Sequence, residues 1–154
     1  MSNFGGRIMC KAAEVGKIVV NRCLNRGLSI DVQKLQKLLV LMQVECIKRS
    51  GKPLFTEDIR IWDCGVAIKE VDEEFRNTGF AFINHQVEYI NLLECEGKSV
   101  DSILEIYGDK DALELSALPT NQKICRLALA TSDTKTPHIN YKELVREFRP
   151  NESC

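Results

Sequence analysis

The side chains best suited to covalent chemistry in this sequence are Cys64, its neighbour Asp63, and His85, twenty-one residues beyond the cysteine. A thiol in a glycine-flanked turn is a common setting for a reactive cysteine, and an imidazole within reach could act as its base. Nothing in the chain specifies oxyanion donors or a group to orient His85, so the two read more readily as a turn residue and a surface residue. Other catalytic patterns are missing. Gly5-Gly6 is not followed by the Lys-Ser/Thr of a phosphate loop, and there is no H-E-x-x-H pair or G-x-S-x-G elbow. The chain therefore reads as a non-enzyme with no cofactor.

Seven cysteines, at positions 10, 23, 46, 64, 95, 125 and 154, are odd in number and contain no C-x-x-C pair. They read as reduced thiols of an intracellular protein, with Cys23, Cys46 and Cys125 as small core residues on helix faces. His85 and His138 are the only histidines, and no ligand spacing points to zinc. The N-terminus lacks an apolar signal segment, and no apolar run approaches the roughly 20 residues of a membrane span. A cytoplasmic location is expected.

The net charge of −1 hides a strong asymmetry. Lys and Arg outnumber Asp and Glu by 11 to 5 in residues 1–60, are outnumbered 4 to 13 in residues 61–120, and lead by 6 to 4 thereafter. One reading is mutual compensation within a folded domain; another is a polarised surface that steers a charged protein partner or pairs two copies as a homodimer. A third reading is a nucleic-acid-binding regulator using the basic residues of the first two helices: Arg7, Lys11, Lys17, Arg22, Arg26, Lys34, Lys37, Lys48 and Arg49. No reader motif accompanies them.

The elements that must position these groups follow from periodicity. A first helix is expected from about Ala12 to Arg26, with Val15, Ile18, Val19 and Cys23 on one stripe and Gly27 as its stop. A second, central helix follows "LSID", capped by Ser29 or Asp31, with Val32, Leu35, Leu38, Leu39, Met42, Cys46 and Ile47 apolar and "KRSG" at its end. From Pro53 the period changes to two. An extended segment over Asp58 to Trp62, a turn at Gly65 and a strand at "VAI" then form a short hairpin before "KEVDEEFR" turns helical. Phe55, Ile59, Ile61 and Trp62 should anchor the hairpin to the second helix, with the single Trp in the core. The segment "GFAFINHQVEYINLLECEG" fits either extended or irregular structure. Helices return at "SVDSILEIYG", "DALELSAL" and "TNQKICRLALAT", the last capped by Thr120, and a final helix begins at Asn140 with Glu143 completing a capping box. The expectation is one mainly α domain over residues 1–154, carrying a short β-hairpin after the second helix.

Residues 32–76 carry a longer pattern. Leu35-Gln36-Lys37-Leu38-Leu39, then Gly51-Lys52-Pro53-Leu54-Phe55, Glu57, Ile59, Trp62 and Gly65, and finally Val71, Glu74 and Phe75 occur in an order that resembles the Panacea, or SocA-like, antitoxin domain, a family also known as phage-associated proteins. The chain is similar to a divergent member. Val40 and Leu41 stand where that family has an aromatic pair, and Cys64-Gly65-Val66-Ala67 replaces its Tyr-Gly-Pro-Val turn. The resemblance implies a helical interaction protein that neutralises a protein partner by contact or delivers it to a protease, in a mobile-element or viral setting, with no catalytic residues.

The residues themselves suggest where a partner would bind. Asp63, Glu70, Asp72 and Glu73 surround apolar Val66 and Ile68 after the Gly65 turn, next to Trp62. An apolar centre with a charged rim is the arrangement of an interaction patch.

Overall fold

A computed structural model describes residues 3–4, 7–8, 10–78, 82–83, 94–131 and 135–150, with backbone only at 3, 4, 7, 8, 78, 94 and 95. Its organising element is a 19-residue helix that is buried on nearly every side. The elements in chain order are β1 (Asn3–Phe4), β2 (Arg7–Ile8), α1 (Ala12–Asn25), α2 (Val32–Ser50), β3 (Ile59–Trp62), β4 (Gly65–Ala67) and α3 (Lys69–Glu74). A single 3₁₀ turn (Arg76–Thr78) follows, then α4 (Glu94–Tyr107), α5 (Ala112–Ser116), α6 (Pro119–Thr131), β5 (His138–Ile139) and α7 (Tyr141–Phe148). The fold is mainly α with a small antiparallel sheet.

Local signals set the helix ends. Asp31 caps α2 by accepting the Lys34 N–H at 2.8 Å, and Gly51 ends it with its N–H on the Ile47 carbonyl. Asn140 and Glu143 form the expected reciprocal capping box on α7, and Asp111 with Glu114 forms another on α5. Thr120 is not a cap. Pro119 is already the first residue of α6, where its missing N–H costs nothing, so Thr120 lies inside the first turn. The first residue of α1 has a cap from a distant part of the chain: the Ala12 N–H donates to Glu57 Oε2 at 3.0 Å, while the side chain of Lys11 makes no capping bond.

α1, α4, α5, α6 and α7 all pack around α2. Leu35, Leu38, Leu39, Met42 and Ile47 meet Val15, Val19, Ile30, Leu54, Phe55, Val71, Val100, Ile124 and Leu144 in a continuous core. A helix enclosed in this way buries its polar positions too: Lys34, Gln36, Lys37 and Gln43 have almost no exposed surface. This explains why its polar residues do not mark a solvent face.

The expected hairpin is present and gains a third strand. β3 pairs antiparallel with β4 (Ile61 opposite Val66, Trp62 opposite Gly65) and on its other edge with β5 (Ile59 opposite Ile139, Arg60 opposite His138). The turn Asp63-Cys64 returns through Gly65 at φ +101°, a backbone conformation that favours glycine. Ile59 is fully buried and Ile61 packs against the core, as the alternation implied. Trp62 does not join them: it sits half-buried at the strand's end, and Phe55 is the aromatic that fills the core. Most of the segment 79–97 that the sequence leaves ambiguous lies outside the described residues, and its last four residues are the start of α4.

Candidate functional site

Three buried polar side chains of α2 hold the hairpin region by its backbone. Gln43 accepts the N–H groups of Leu54 and Phe55 on Oε1, at 2.6 and 3.2 Å, and donates Nε2 to the Phe55 carbonyl at 2.7 Å. Two turns earlier, Gln36 takes the Ile68 N–H at 2.8 Å and donates to the Ile68 carbonyl at 3.1 Å. Lys37 Nζ donates to the Val66 carbonyl at 3.2 Å and reaches Gln33 Oε1 at 3.5 Å. Backbone groups that a sheet edge would leave buried and unpaired are satisfied in this way, and the hairpin's position is fixed against the helix.

The expected patch is divided by this arrangement. Val66 and Ile68 are 1% and 0% exposed, so their side chains belong to the core and cannot form an apolar centre on the surface. Strand β4 is short and its start is half-exposed, but its apolar side chains turn inward, toward α2, where Gln36 and Lys37 grip the backbone. Asp63, Glu70 and Glu73 are exposed, while Trp62, Gly65 and Asp72 are half-buried. Lys69 approaches Glu73 at 3.8 Å, and Lys17 of α1 pairs with Glu74 at 2.7 Å. The rim therefore exists without the centre sequence gave it.

The basic face of the first two helices is largely consumed inside the chain. Arg22 and Arg26 both hold Asp101 of α4 at 2.9 Å, Arg22 also donates to the Gly97 carbonyl, and Arg49 pairs with Glu45 and donates to Ser102. Lys17 is shared between Glu14 and Glu74. Lys34 is buried on the carbonyls of Ser29 and Gly108, and Lys37 is buried at the hairpin. Lys11 and Lys48 are exposed, Lys48 lying 5.8 Å from the ring of Phe148; the side chain of Arg7 lies outside the described residues. Among these charges, Lys17 and Arg22 tie α1 to α3 and α4, and Arg49 ties α2 to α4.

Cys64 is exposed in the hairpin turn, and His85 lies outside the described residues. Cys10, Cys23 and Cys46 are buried thiols, while Cys125 is half-buried. Burial pushes the Cys23 thiol up to about 11, so it packs as an apolar group. Among the described residues no three His, Cys, Asp or Glu side chains converge as a metal site, and no helix is long and apolar enough to cross a membrane.

Sequence reasoning missed a second feature beside the turn. Gln33 and Lys37 of α2, Cys64 of the turn, and Ala112, Leu113 and Ser116 of α5 line an open pocket of about 290 Å³. Leu113 is 81% exposed at its edge. The sequence marks "DALELSAL" only as a helix, and nothing in its spacing sets Leu113 apart as the leucine left in solvent.

A central helix that grips an ordered hairpin defines a small, mainly helical domain. The chain belongs to the antitoxin SocA-like Panacea domain family, whose model matches residues 35–124, more than half of its length. The match extends past the motif block at 32–76, through α4 and α5 into α6. No curated protein and no solved structure matches the chain.

Proposed function

We propose that this chain is a non-enzymatic, antitoxin-like module that binds a protein partner inside the cell and neutralises it, or presents it to a protease. Membership of the antitoxin family carries this reading. The contact face we assign is the hairpin turn with α3: half-buried Trp62, exposed Asp63, and the carboxylates of Glu70, Asp72 and Glu73, with Gly65, Val66 and Ile68 as the buried-sided backbone that sets their positions. Rim carboxylates of this kind act mainly on association rate and salt dependence. A second copy of the chain is the competing occupant, and light scattering at tens of micromolar distinguishes it by mass.

The test starts with the tagged protein and the stoichiometric partner that co-purifies with it. Reversing Glu70, Asp72 and Glu73 to Lys slows association with that partner and flattens its salt dependence, with the thermal midpoint nearly unchanged. Unaltered kinetics across a salt series remove this face from the interface.

A further inference from the structure

The pocket beside the turn, overhung by Leu113, sets an exposed aliphatic side chain next to a preformed recess. Its walls are fixed. A Cβ built on Gly65 would lie 3.6 Å from Ser116 Oγ and 3.8 Å from Lys37 Nζ, so the turn packs directly against α5 and the lysine. Lys37, 1% exposed, is a lining residue whose ammonium is held in place by the Val66 carbonyl and by Gln33, another residue of the wall. An occupant of such a site does not have to order the walls, which keeps the entropy of binding small.

Size and charge narrow the occupant. A volume of about 290 Å³ falls at or below the lower end of small-molecule sites, roughly 300–1,000 Å³, and suits one large side chain. The surface around it is acidic: Asp63 beside Cys64, and Asp109, Asp111 and Glu114 around the start of α5, are all exposed, against half-buried Lys110.

We infer that this recess receives one apolar side chain from a basic segment of a protein partner, packed against Leu113, with Lys or Arg on either side facing the carboxylates. The site rests on the protein-binding reading and extends that contact face from the hairpin turn onto α5. The aliphatic anchor supplies the desolvated centre, and the ring of carboxylates selects against acidic partners.

A phage-displayed random peptide library, which has no charge bias of its own, is panned against the full chain. Enriched peptides should share one Leu, Ile, Met or Phe flanked by Lys or Arg. A synthetic copy should slow iodoacetamide alkylation of Cys64, mapped by mass, with Cys125 as the internal reference. Leu113→Asp, on a side chain already in solvent, should weaken its binding about tenfold or more. Asp63→Lys should slow its association while the circular dichroism and thermal midpoint stay in place. Acidic consensus peptides, undiminished alkylation of Cys64, or unchanged affinity in both variants would overturn the assignment. If the natural partner still co-purifies under any of those outcomes, the protein-binding reading stands and only this surface falls; if neither peptide nor partner binds, both fall.

Discussion

The side-chain amide of Gln36 pairs with both backbone groups of Ile68, accepting its N–H at 2.8 Å and donating to its carbonyl at 3.1 Å. The amide acts as one rung of a sheet, supplied by a helix. Gln43 repeats the arrangement at Leu54 and Phe55, seven residues along α2, so the same face of the helix holds the chain on both sides of the hairpin. The glutamine of the family-like Leu-Gln-Lys-Leu-Leu block thus has a physical task, which is to satisfy a buried backbone that has no strand beside it.

Leucine is close to glutamine in volume and can make none of these bonds. Gln43→Leu leaves the N–H groups of Leu54 and Phe55 and the Phe55 carbonyl buried without that partner, and orphaned groups of this kind cost about 1–3 kcal/mol each. A loss of about 3 kcal/mol or more is expected in urea unfolding. A loss below about 0.5 kcal/mol would show that the segment finds other partners.

The two aromatics of the hairpin region should differ sharply. Phe55 is fully enclosed, so Phe55→Ala should cost about 3–5 kcal/mol, the usual penalty for emptying an aromatic site. Trp62 is half-buried and outside the core cluster, so Trp62→Ala should cost only about 1 kcal/mol. Chemical denaturation of the pair, with partner affinity measured alongside, separates the aromatic that builds the fold from the one free to meet a partner.

Much of this architecture was legible because its signals are local. The Asp31 cap, the Asn140–Glu143 box, the change of period after Pro53 and the glycine turn each depend on a few adjacent residues. The readings that failed depended on distant chain. β5 is two residues long and exists because β3 has a free edge beside it. Lys34, Gln36, Lys37 and Gln43 have the polarity of a solvent face, and only the remote carbonyls and N–H groups they meet reveal them as buried staples. For the same reason Val66 and Ile68 looked like surface: one face of β4 is not distinguishable from the other until α2 lies across it. The recess at Leu113 joins α2, the turn and α5, and no spacing in the sequence brings those three together.

Gly108 closes α4 where space is tightest. A Cβ there would fall 2.4 Å from the Leu104 carbonyl oxygen and 2.7 Å from a Leu28 methyl, and its own carbonyl carries the Lys34 ammonium. Gly108→Ala should cost about 1–3 kcal/mol or more through this overpacking. Gly27→Ala is the control, since a Cβ there meets nothing within 4 Å and only its positive φ opposes the change.

Burial raises the carboxyl pKa of Glu57 above its ordinary 4.5; the Ala12 N–H opposes that rise and the charge of Glu70 adds to it. Its Oε1 is buried without a hydrogen-bond partner. The folded chain then binds this proton more tightly than the unfolded chain, so between 4.5 and the raised value stability increases as pH falls. Glu57→Gln keeps an acceptor for Ala12 and cannot titrate. Thermal midpoints from pH about 7 to about 4 should show the wild type gaining on the variant as acid is added, and parallel curves would count against a buried, ionised Glu57.

Lys37 has the opposite sign. Burial lowers its pKa below the ordinary 10.5, although neighbouring Cys64, Cys125 and Asp31 favour the charged form. The unfolded chain therefore holds this proton more tightly. Below the folded value the native state carries the whole penalty of a buried ammonium, and that penalty is relieved as pH climbs toward 10.5. Lys37→Met keeps an unbranched side chain at the recess and removes the charge, at the loss of the bond to the Val66 carbonyl. Those two effects oppose each other, as in other replacements of buried charges by apolar groups, so at neutral pH the variant should lie within about 1 kcal/mol of the wild type. As the medium becomes alkaline the difference should move steadily in favour of the wild type. Urea unfolding of both proteins at matched pH, with the difference taken at each point, cancels the titration of Lys17 and Cys23, neither of which senses Lys37. A difference that stays flat through the alkaline range would mean that Lys37 keeps an ordinary pKa, and that its ammonium reaches solvent through the recess.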